Sequence, residues 1–461
     1  MVQASTLDLR KPRTWFIALL LVFAGCEGKI DNPLGINLKI REEKLSNGLL
    51  LLMVEDHTVP IVSYQTWYRV GSVDEVPGAT GISHLFEHLM FKGTPKYGAK
   101  QFFLQLEAKG AEVNAYTTRD YTVYYENFVP DLIEKVVDME SDRMANLAIN
   151  EEMLASERLV VLEERRLRTD NSPEGRMQEA LWGLSYKRHH YQWPVIGYPQ
   201  DLISINSAKL TDFFKHHYSP ANAAIVIVGD IKPDETYALV KKYYGSIKAQ
   251  PRPSRRVPAE PEQREERRLT LRDRVASERV ALAYHVTSAE QDDSYALDVL
   301  ANILFEGSSS RAHRRLVEEL DIAMGVSGSA YTPTYPGLFI MTITMKAGVP
   351  GAKAEAALDD VIRKAQDGLV TDEEIKRAVR QLTVQLVDGV RTPYGLGQLI
   401  GTVQTIFGDP RRFANDLNKY FKISAADVQR VAQKYLIPNN RSIVTLVPGV
   451  QVGAKSQEEA E

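Results

Sequence analysis

The chain of 461 residues contains one cysteine, Cys26, so no disulfide can form within it. A small secreted scaffold held together by disulfides is therefore excluded. The formal net charge is only −4, which gives no electrostatic reason to expect nucleic acid as a partner. The apolar run at residues 15–25 is too short to cross a bilayer. What remains is the composition of an ordinary globular protein, with 44% hydrophobic and 25% charged residues.

The amino-terminal residues have the pattern of an export signal. Basic residues precede the apolar run, which has the length of a signal-peptide core. Small residues directly before Cys26 resemble a bacterial lipoprotein cleavage box, and Glu27 favours sorting to the outer membrane. We therefore expect a signal peptide at 1–25, a tether at 26–37, lipid attachment at Cys26 and a periplasmic location. Cleavage by the general signal peptidase beside an incidental cysteine is the alternative.

The most informative motif is His84-x-x-Glu87-His88, inside a predicted helix at 82–90. Residues four apart share one face of a helix, so both imidazoles can face one metal ion. The His-x-x-Glu-His order is that of the inverzincins, and a carboxylate near a metal-activated water can take its proton. The alternative is that both histidines are ordinary surface or core residues, because short motifs carry a false-positive risk.

A third metal ligand is expected on a second ordered segment, since catalytic zinc usually keeps three protein ligands and one water. Glu157 and Glu164 lie two helical turns apart in a predicted helix at 151–168, with Val160 and Val161 between them. Two carboxylates beside an apolar patch fit a metal site. The alternative is a salt-bridged surface helix, because arginines follow at once.

These motifs carry a family resemblance. The segment 81–94, followed by Glu164 at the usual distance from His88, resembles the pitrilysin and mitochondrial processing peptidase family. The likeness continues at 113–117 and 193–197 and covers nearly the whole chain after the leader. It is greatest to the smaller two-domain bacterial and mitochondrial members.

The resemblance implies roles for the motif residues. His84, His88 and Glu164 would bind Zn²⁺, Glu87 would be the general base, and Glu157 would orient the site. The implied activity is that of a zinc metalloendopeptidase, and its expected substrates are extended or unfolded peptides.

The second half of the chain repeats the first. Residues 207–228 are similar to 424–444, and residues 87–94 are similar to 301–308, at nearly the same offset. We therefore expect an α+β fold of two homologous domains, each a mainly antiparallel sheet with helices packed on one face. The expected segments are a first domain at 38–247, an exposed linker at 248–266, a second domain at 267–450 and a disordered tail at 451–461.

The repeat also predicts where a metal site is missing. Asp298, Ala301 and Asn302 stand in the second half where the first has its two histidines and the intervening glutamate. None of the three can rebuild an equivalent zinc site. The second domain is therefore expected to be metal-free and to form a wall of the substrate chamber.

Hydrophobic periodicity predicts the elements of the first domain. The predicted strands are 44–55, 60–70, 113–118, 121–129 and 223–228, and the predicted helices are 82–90, 99–108, 132–146, 151–168 and 208–217.

The predicted strand at 113–118 offers a way to hold substrate. The free N–H and C=O groups of an edge strand can pair with an extended peptide. Family resemblance places Asn114 and Ala115 against the substrate and adds Arg311 from the second half. A paired interior position for this strand is the alternative, because edge position cannot be seen in the sequence.

One position departs from the family pattern. Met324 stands where a tyrosine usually contacts substrate, and it cannot donate a hydrogen bond. Tyr331 is a candidate to replace the missing tyrosine in contacting substrate, although it stands at a different position in the chain. The expected partners are therefore a second copy of the chain or a metal-free homologous subunit that supplies the missing groups. A non-catalytic scaffold of the same fold is a further alternative.

Overall fold

The computed structural model describes residues 38–99, 101–368 and 370–449. The predicted signal peptide, the tether with Cys26 and the tail at 451–461 lie outside the described residues. Within the described part of the chain, no helix combines the length and the apolar composition that a membrane crossing requires.

The described residues form eleven strands and fifteen α-helices. The strands are β1 (Arg41–Lys44), β2 (Leu50–Glu55), β3 (Val62–Tyr68), β4 (Glu112–Thr117), β5 (Thr122–Phe128), β6 (Ala223–Gly229), β7 (Arg267–Asp273), β8 (Arg279–His285), β9 (Ala323–Tyr331), β10 (Leu338–Met345) and β11 (Arg441–Pro448). The helices are α1 (Ile82–Leu89), α2 (Gln101–Leu106), α3 (Ile133–Asn146), α4 (Glu151–Arg165), α5 (Pro173–Ser185), α6 (Pro199–Ser204), α7 (Ser207–His217), α8 (Pro233–Tyr244), α9 (Asp293–Phe305), α10 (Arg311–His313), α11 (Gly351–Gln366), α12 (Asp372–Gly389), α13 (Pro393–Phe407), α14 (Arg412–Tyr420) and α15 (Ala425–Tyr435). Two π-helical segments, Arg166–Asp170 and Arg314–Glu319, follow α4 and α10.

The two sheets have the same topology, except that the first has an additional edge strand, β1. The first has the strand order β1-β2-β6-β3-β5-β4, and the second has the order β7-β11-β8-β10-β9. In each sheet one pair is parallel, β2 with β6 and β7 with β11, and the remaining pairs are antiparallel. The predicted α+β fold of two homologous units is confirmed.

Each sheet buries one face against helices of its own half. In the first half, Leu85 and Phe86 of α1 and Val137 of α3 join the core on Tyr64 and Ile225 of the sheet. In the second half, α9, α11 and α15 cover the corresponding face. This layer agrees with the predicted helices on one face of each sheet.

The opposite face of each sheet is covered by a helix from the other half. Leu396 and Ile400 of α13 pack on Trp67 of the first sheet. Leu181 and Trp182 of α5 pack against strands of the second sheet in the same way. The exchange was not predicted from the sequence. It arises because both faces of each sheet are apolar, so a single helical layer would leave one face exposed to water.

One local expectation, the strand at 44–55, is wrong. The predicted strand 44–55 is a hairpin, in which a turn with Gly48 at φ 88° separates β1 from β2. Residues 248–266 contain no helix or strand, but they are not exposed throughout. The side chain of Arg255 is only 5% exposed, and its guanidinium donates hydrogen bonds of 2.9 Å to both carboxylate oxygens of Asp74.

Candidate active site

Close backbone packing fixes the start of helix α1. Gly81 has φ 85°, and a Cβ built on it would lie 2.5 Å from the carbonyl oxygen of Ile196. Gly197 has φ 81° and packs equally closely on Gly81. The buried carboxylate of Glu75 accepts hydrogen bonds from the N–H groups of Gly81 and Ser83, at 2.8 and 2.9 Å. These contacts explain why the 81–94 and 193–197 motifs occur together.

Helix α4 is anchored to the same loop. Its first turn is capped by Asn150, whose side chain accepts a hydrogen bond from the N–H of Met153. At its last residue, Arg165 donates hydrogen bonds to the carbonyl of Gly197 at 2.9 Å and to Glu179 at 2.8 Å. The start of α1 and the end of α4 therefore share one rigid support, which sets the distance between their side chains.

The structure brings His84, His88 and Glu164 together. Oε2 of Glu164 lies 3.2 Å from Nε2 of His88 and 3.6 Å from Nε2 of His84. Potential ligand atoms of all three side chains lie within 4.8 Å of one another. The three donors come from α1 and α4, two stretches far apart in the chain.

This donor set fits a catalytic zinc ion. Two imidazole nitrogens and one carboxylate oxygen are a usual protein ligand set for catalytic zinc. Ligand atoms about 2.1 Å from one ion at tetrahedral angles are about 3.4 Å apart. The distances of 3.2 and 3.6 Å from Glu164 to the two histidines lie on either side of that value.

The two histidines have different electrostatic surroundings. Burial, and then the neighbouring His88, lowers the pKa of His84 to about 4, so its imidazole is neutral at pH 7. Burial also acts to lower the pKa of His88, but hydrogen bonds with Glu157 and Glu164 outweigh it and raise that pKa to about 9. The carboxylates on α4 therefore stabilise positive charge at His88.

Glu157 lies on the far side of the His88 ring from Glu164. Its Oε1 is 3.1 Å from Nδ1 of His88, and its Oε2 faces the ammonium group of Lys92. Burial acts to raise the pKa of Glu157, but hydrogen bonds from His88 and Lys92 lower it below its usual range. This carboxylate contacts a ligand ring and can fix which ring nitrogen faces the ion.

Glu87 is placed as a proton acceptor. Burial raises its pKa, and a hydrogen bond from Thr117 acts against that rise. Its Oε2 is buried and has no hydrogen-bond partner among the described residues. A carboxylate with one oxygen held and one oxygen free can bind a water molecule and take its proton.

The cluster lies at one wall of an open cavity of about 1160 Å³. Strand β4 also lines the cavity; it pairs with β5 alone and is an edge of the sheet, as the sequence-based expectation required. The cavity is lined by His84, Glu87, His88, Phe91, Lys92, Ala99, Phe103, Asn114, Ala115, Tyr116, Thr117, Glu157, Leu159, Val160, Glu163, Glu164, Leu167 and Arg168.

Strand β4 presents a main-chain donor to this cavity. The hairpin closes with the N–H of Thr118 donating to the carbonyl of Tyr121, and hydrogen-bonded positions alternate from there along an antiparallel pair. The N–H of Ala115 consequently points away from β5. It donates instead to Oδ1 of Asn114 at 2.8 Å, so this edge position is occupied by a neighbouring side chain.

The structure does not bring the second-half residues to this cavity. Arg311 is held by Glu374, with two hydrogen bonds of 2.7 Å each, outside the cavity lining. Met324 lies on the edge strand β9 and is 60% exposed. Tyr331 packs edge-on against Trp182 between the two halves and does not line this cavity.

In the second half, the positions aligned with the metal site form no comparable cluster. Asp298 accepts a hydrogen bond of 2.6 Å from Tyr420, while Ala301 and Asn302 are buried in α9. Among the described residues, the group of His84, His88 and Glu164 is the one arrangement of at least three potential ligands close enough to hold a metal ion.

Sequence reasoning missed Lys92, Arg168 and Thr117. Lys92 lies four residues after His88, a spacing that puts the two on one side of a helical turn, and this signal was available. Arg168 contacts Oε1 of Glu164 at 3.0 Å from within the π-helical segment. Thr117 could not be identified because its contact with Glu87 depends on how β4 packs beside α1.

Comparison with known proteins assigns both halves of the chain. The profile of the insulinase group, peptidase family M16, matches residues 50–197, and the profile of the peptidase M16 inactive domain matches residues 204–382. The zinc protease PqqE of Helicobacter pylori is 28% identical over 88% of this chain and 92% of its own length. The uncharacterized zinc protease YmxG of Bacillus subtilis is 25% identical over 85% of this chain and 94% of its own length.

Solved structures agree with these matches. A protease from Helicobacter pylori superimposes with a TM-score of 0.86 at 26% identity, covering 90% of this chain and 100% of that one. A peptidase M16 inactive domain from Pseudomonas fluorescens has a TM-score of 0.81 at 17% identity, covering 90% and 99% of the two chains, and shows a shared fold.

Proposed function

Because this chain belongs to peptidase family M16, we propose that it is a zinc metalloendopeptidase acting on extended or unfolded peptides. One observation carries the proposal. Two imidazole nitrogens and the carboxylate oxygen of Glu164 converge at distances that suit a single ion, and the free oxygen of Glu87 belongs to the same cavity. A scaffold protein has no use for this combination of groups.

Each residue has a distinct part in the proposed reaction. His84, His88 and Glu164 would hold Zn²⁺, which would supply a Lewis acid and lower the pKa of a water molecule in the site. Glu87 accepts a proton from the attacking water on Oε2 and later delivers it to the leaving amine nitrogen. Glu157 keeps the ring of His88 oriented through Nδ1.

The edge strand supports the proposed substrate class. A peptide added beside β4 would pair with its outward N–H and C=O groups, which recognise backbone more than side chains. The N–H of Ala115 is one such donor, and a bound peptide would take the place of the Asn114 side chain. Only an extended segment can pair in this way, so a folded domain would have to unfold locally first.

The proposal is tested by metal analysis and a cleavage assay on the purified chain. We expect about one zinc per chain, hydrolysis of an unfolded polypeptide, loss of hydrolysis with a chelator, and recovery when zinc is returned. A chain that binds zinc with no more than trace stoichiometry would overturn the proposal. Cleavage that continues in the metal-free protein would overturn it as well.

A second candidate function is that of a catalytic subunit that needs a different, metal-free partner. Two observations favour it: Arg311 is occupied by Glu374, and Met324 cannot donate a hydrogen bond to substrate. Full activity of the lone chain, at a concentration where its oligomeric state is known, would exclude this requirement.

Export, lipid attachment at Cys26 and a location at the periplasmic face of the outer membrane remain proposals from the sequence. Replacing Cys26 with Ser and following the protein between membrane and soluble fractions would test the anchor.

A further inference from the structure

The ring of His88 stands between two carboxylates, each of which also contacts a cation. On one side, Nε2 faces Oε2 of Glu164 at 3.2 Å, and Oε1 of Glu164 faces Arg168 at 3.0 Å. On the other side, Nδ1 faces Oε1 of Glu157 at 3.1 Å, and Oε2 of Glu157 faces the ammonium group of Lys92. Glu157 and Glu164 therefore each use one oxygen for a histidine and the other for a cation.

The two contacts between a carboxylate and a cation differ in burial. The side chain of Arg168 is 76% exposed, so its ion pair with Glu164 is in contact with water and is worth little. The side chain of Glu157 is 7% exposed and that of Lys92 is 30% exposed. A carboxylate this deeply buried is costly unless both oxygens have partners. The interaction of Lys92 with Glu157 is thus the stronger of the two.

We propose that Lys92 is a positioning residue that, by binding Oε2 of Glu157, fixes Oε1 of that carboxylate against Nδ1 of His88. Fixing Oε1 also determines which ring nitrogen of His88 is available to bind the metal ion. With Nδ1 held as a hydrogen-bond donor, the lone pair of His88 lies on Nε2, the nitrogen that faces Glu164. This inference rests on the proposed zinc site, and it adds a residue to which no role was given.

Without Lys92, Oε2 of Glu157 loses its partner and would have to find another. The carboxylate can rotate toward solvent in the cavity, and this rotation weakens its hydrogen bond with the His88 ring. Arginine at position 92 keeps a cation with hydrogen-bond donors near the carboxylate. Methionine keeps much of the length of the side chain but has neither charge nor donor.

The competing interpretation is that Lys92 binds substrate directly, because it also lines the cavity. The two interpretations differ in what they change. A substrate-binding lysine affects KM and leaves the affinity of the empty site for zinc unaltered. A positioning lysine affects zinc affinity in the absence of any substrate.

The experiment compares Lys92→Met, Lys92→Arg and Lys96→Met in the full chain. Lys96 is the matched control, because it is a nearby lysine paired with a carboxylate, Asp138, but does not line the cavity. Zinc affinity is measured by competition with a chromophoric chelator, and Co²⁺ absorption reports the geometry of the site. We expect about 10- to 100-fold weaker zinc binding for Lys92→Met, the range usual for residues that support a metal ligand. Lys92→Arg should recover most of the affinity, and Lys96→Met should match the unsubstituted chain.

A double-mutant cycle with Glu157→Gln shows whether Lys92 acts through that carboxylate. If it does, adding Lys92→Met to the Glu157→Gln protein causes little further loss of zinc affinity. Additive losses would overturn the proposal, and so would a Lys92→Met protein with unaltered zinc affinity and a raised KM.

Circular dichroism of the metal-free variants checks folding, and Lys92→Gln replaces Lys92→Met if the latter is unfolded. If the unsubstituted chain binds no zinc, the proposed function fails; if it binds zinc and only these comparisons fail, the role of Lys92 alone is wrong.

Discussion

Gly401 of α13 lies so close to Trp67 of β3 that a Cβ built on the glycine would be 2.0 Å from Cε2 of the indole. The two residues belong to opposite halves of the chain, and their contact is part of the layer that joins them. The absence of a side chain at position 401 is what allows the helix to approach the sheet.

This contact predicts a stability effect. Gly401→Ala should lower the free energy of unfolding by about 1–3 kcal/mol, the usual cost of overpacking, because neither the helix backbone nor the indole can move freely. Gly389→Ala is the control, since a Cβ at that position of α12 meets nothing within 4 Å. Thermal unfolding of both variants checks the prediction, and equal melting temperatures would contradict it.

Glu87→Gln should abolish most of the hydrolysis and leave zinc binding intact. The amide keeps the size of the side chain and the contact with Thr117, but it cannot accept a proton from water. We expect kcat to fall by at least about 10²- to 10⁴-fold, the usual contribution of a general base. Single-turnover cleavage and metal content should be measured on the same preparation. Cleavage at the parental rate would remove Glu87 from the mechanism.

Ala115→Pro tests strand addition at β4. Proline removes the outward N–H of this residue, while the hydrogen bonds of β4 to β5 are made by its neighbours. Loss of one main-chain hydrogen bond of about 1 kcal/mol should lower kcat/KM by about fivefold, with zinc content unchanged. N-methylation of the peptide substrate at successive residues should reveal a matching sensitivity. If every N-methylated peptide is cleaved as well as the parent, substrate does not bind as an added strand.

Asp298→Asn should alter the pH dependence of stability. Burial, opposed by the hydrogen bond from Tyr420, raises the pKa of Asp298 from 3.8 to about 6. In the unfolded chain this carboxyl ionises at lower pH, so the fold loses stability as pH rises from about 4 to 6, by up to about 3 kcal/mol. Asparagine still accepts the hydrogen bond and carries no charge.

The variant should therefore melt at a higher temperature than the unsubstituted chain at pH 7.5, and the difference should shrink toward pH 4.5. Calorimetry across this range checks the prediction. Asp131→Asn, which removes an exposed carboxylate instead, is the control. The prediction would be contradicted if the difference in melting temperature between Asp298→Asn and the unsubstituted chain were the same at every pH.

The local parts of the site could be predicted from the sequence. The pair His84 and His88 depends only on helical spacing, and so does the pair Glu157 and Glu164. The meeting of the two pairs depends on how two helices pack, and family resemblance supplied that step. The comparisons confirm the family and the α+β fold of two homologous units, while the roles of the site residues remain predictions.

Other features could not be predicted because they are set by contacts between distant segments. The pairing of Lys92 with Glu157 joins the turn after α1 to helix α4. The spacing from His88 marks the lysine as close to the motif but gives no sign of its partner. The contact of Tyr331 with Trp182 could not be predicted for the same reason, since it follows from the exchanged helices. The Asn47-Gly48 turn between β1 and β2 is different, because that dipeptide is a hairpin signal that the strand pattern obscured.

The reciprocal placement of α5 and α13 has an implication for the ancestry of the molecule. Each half lends a helix to the other in the same way, which is the arrangement of an isologous dimer with twofold symmetry. Gene fusion of two such identical subunits would give this connectivity with a short joining segment at 248–266. In such a fused chain each half remains necessary for folding, because each sheet needs the helix that the other half contributes.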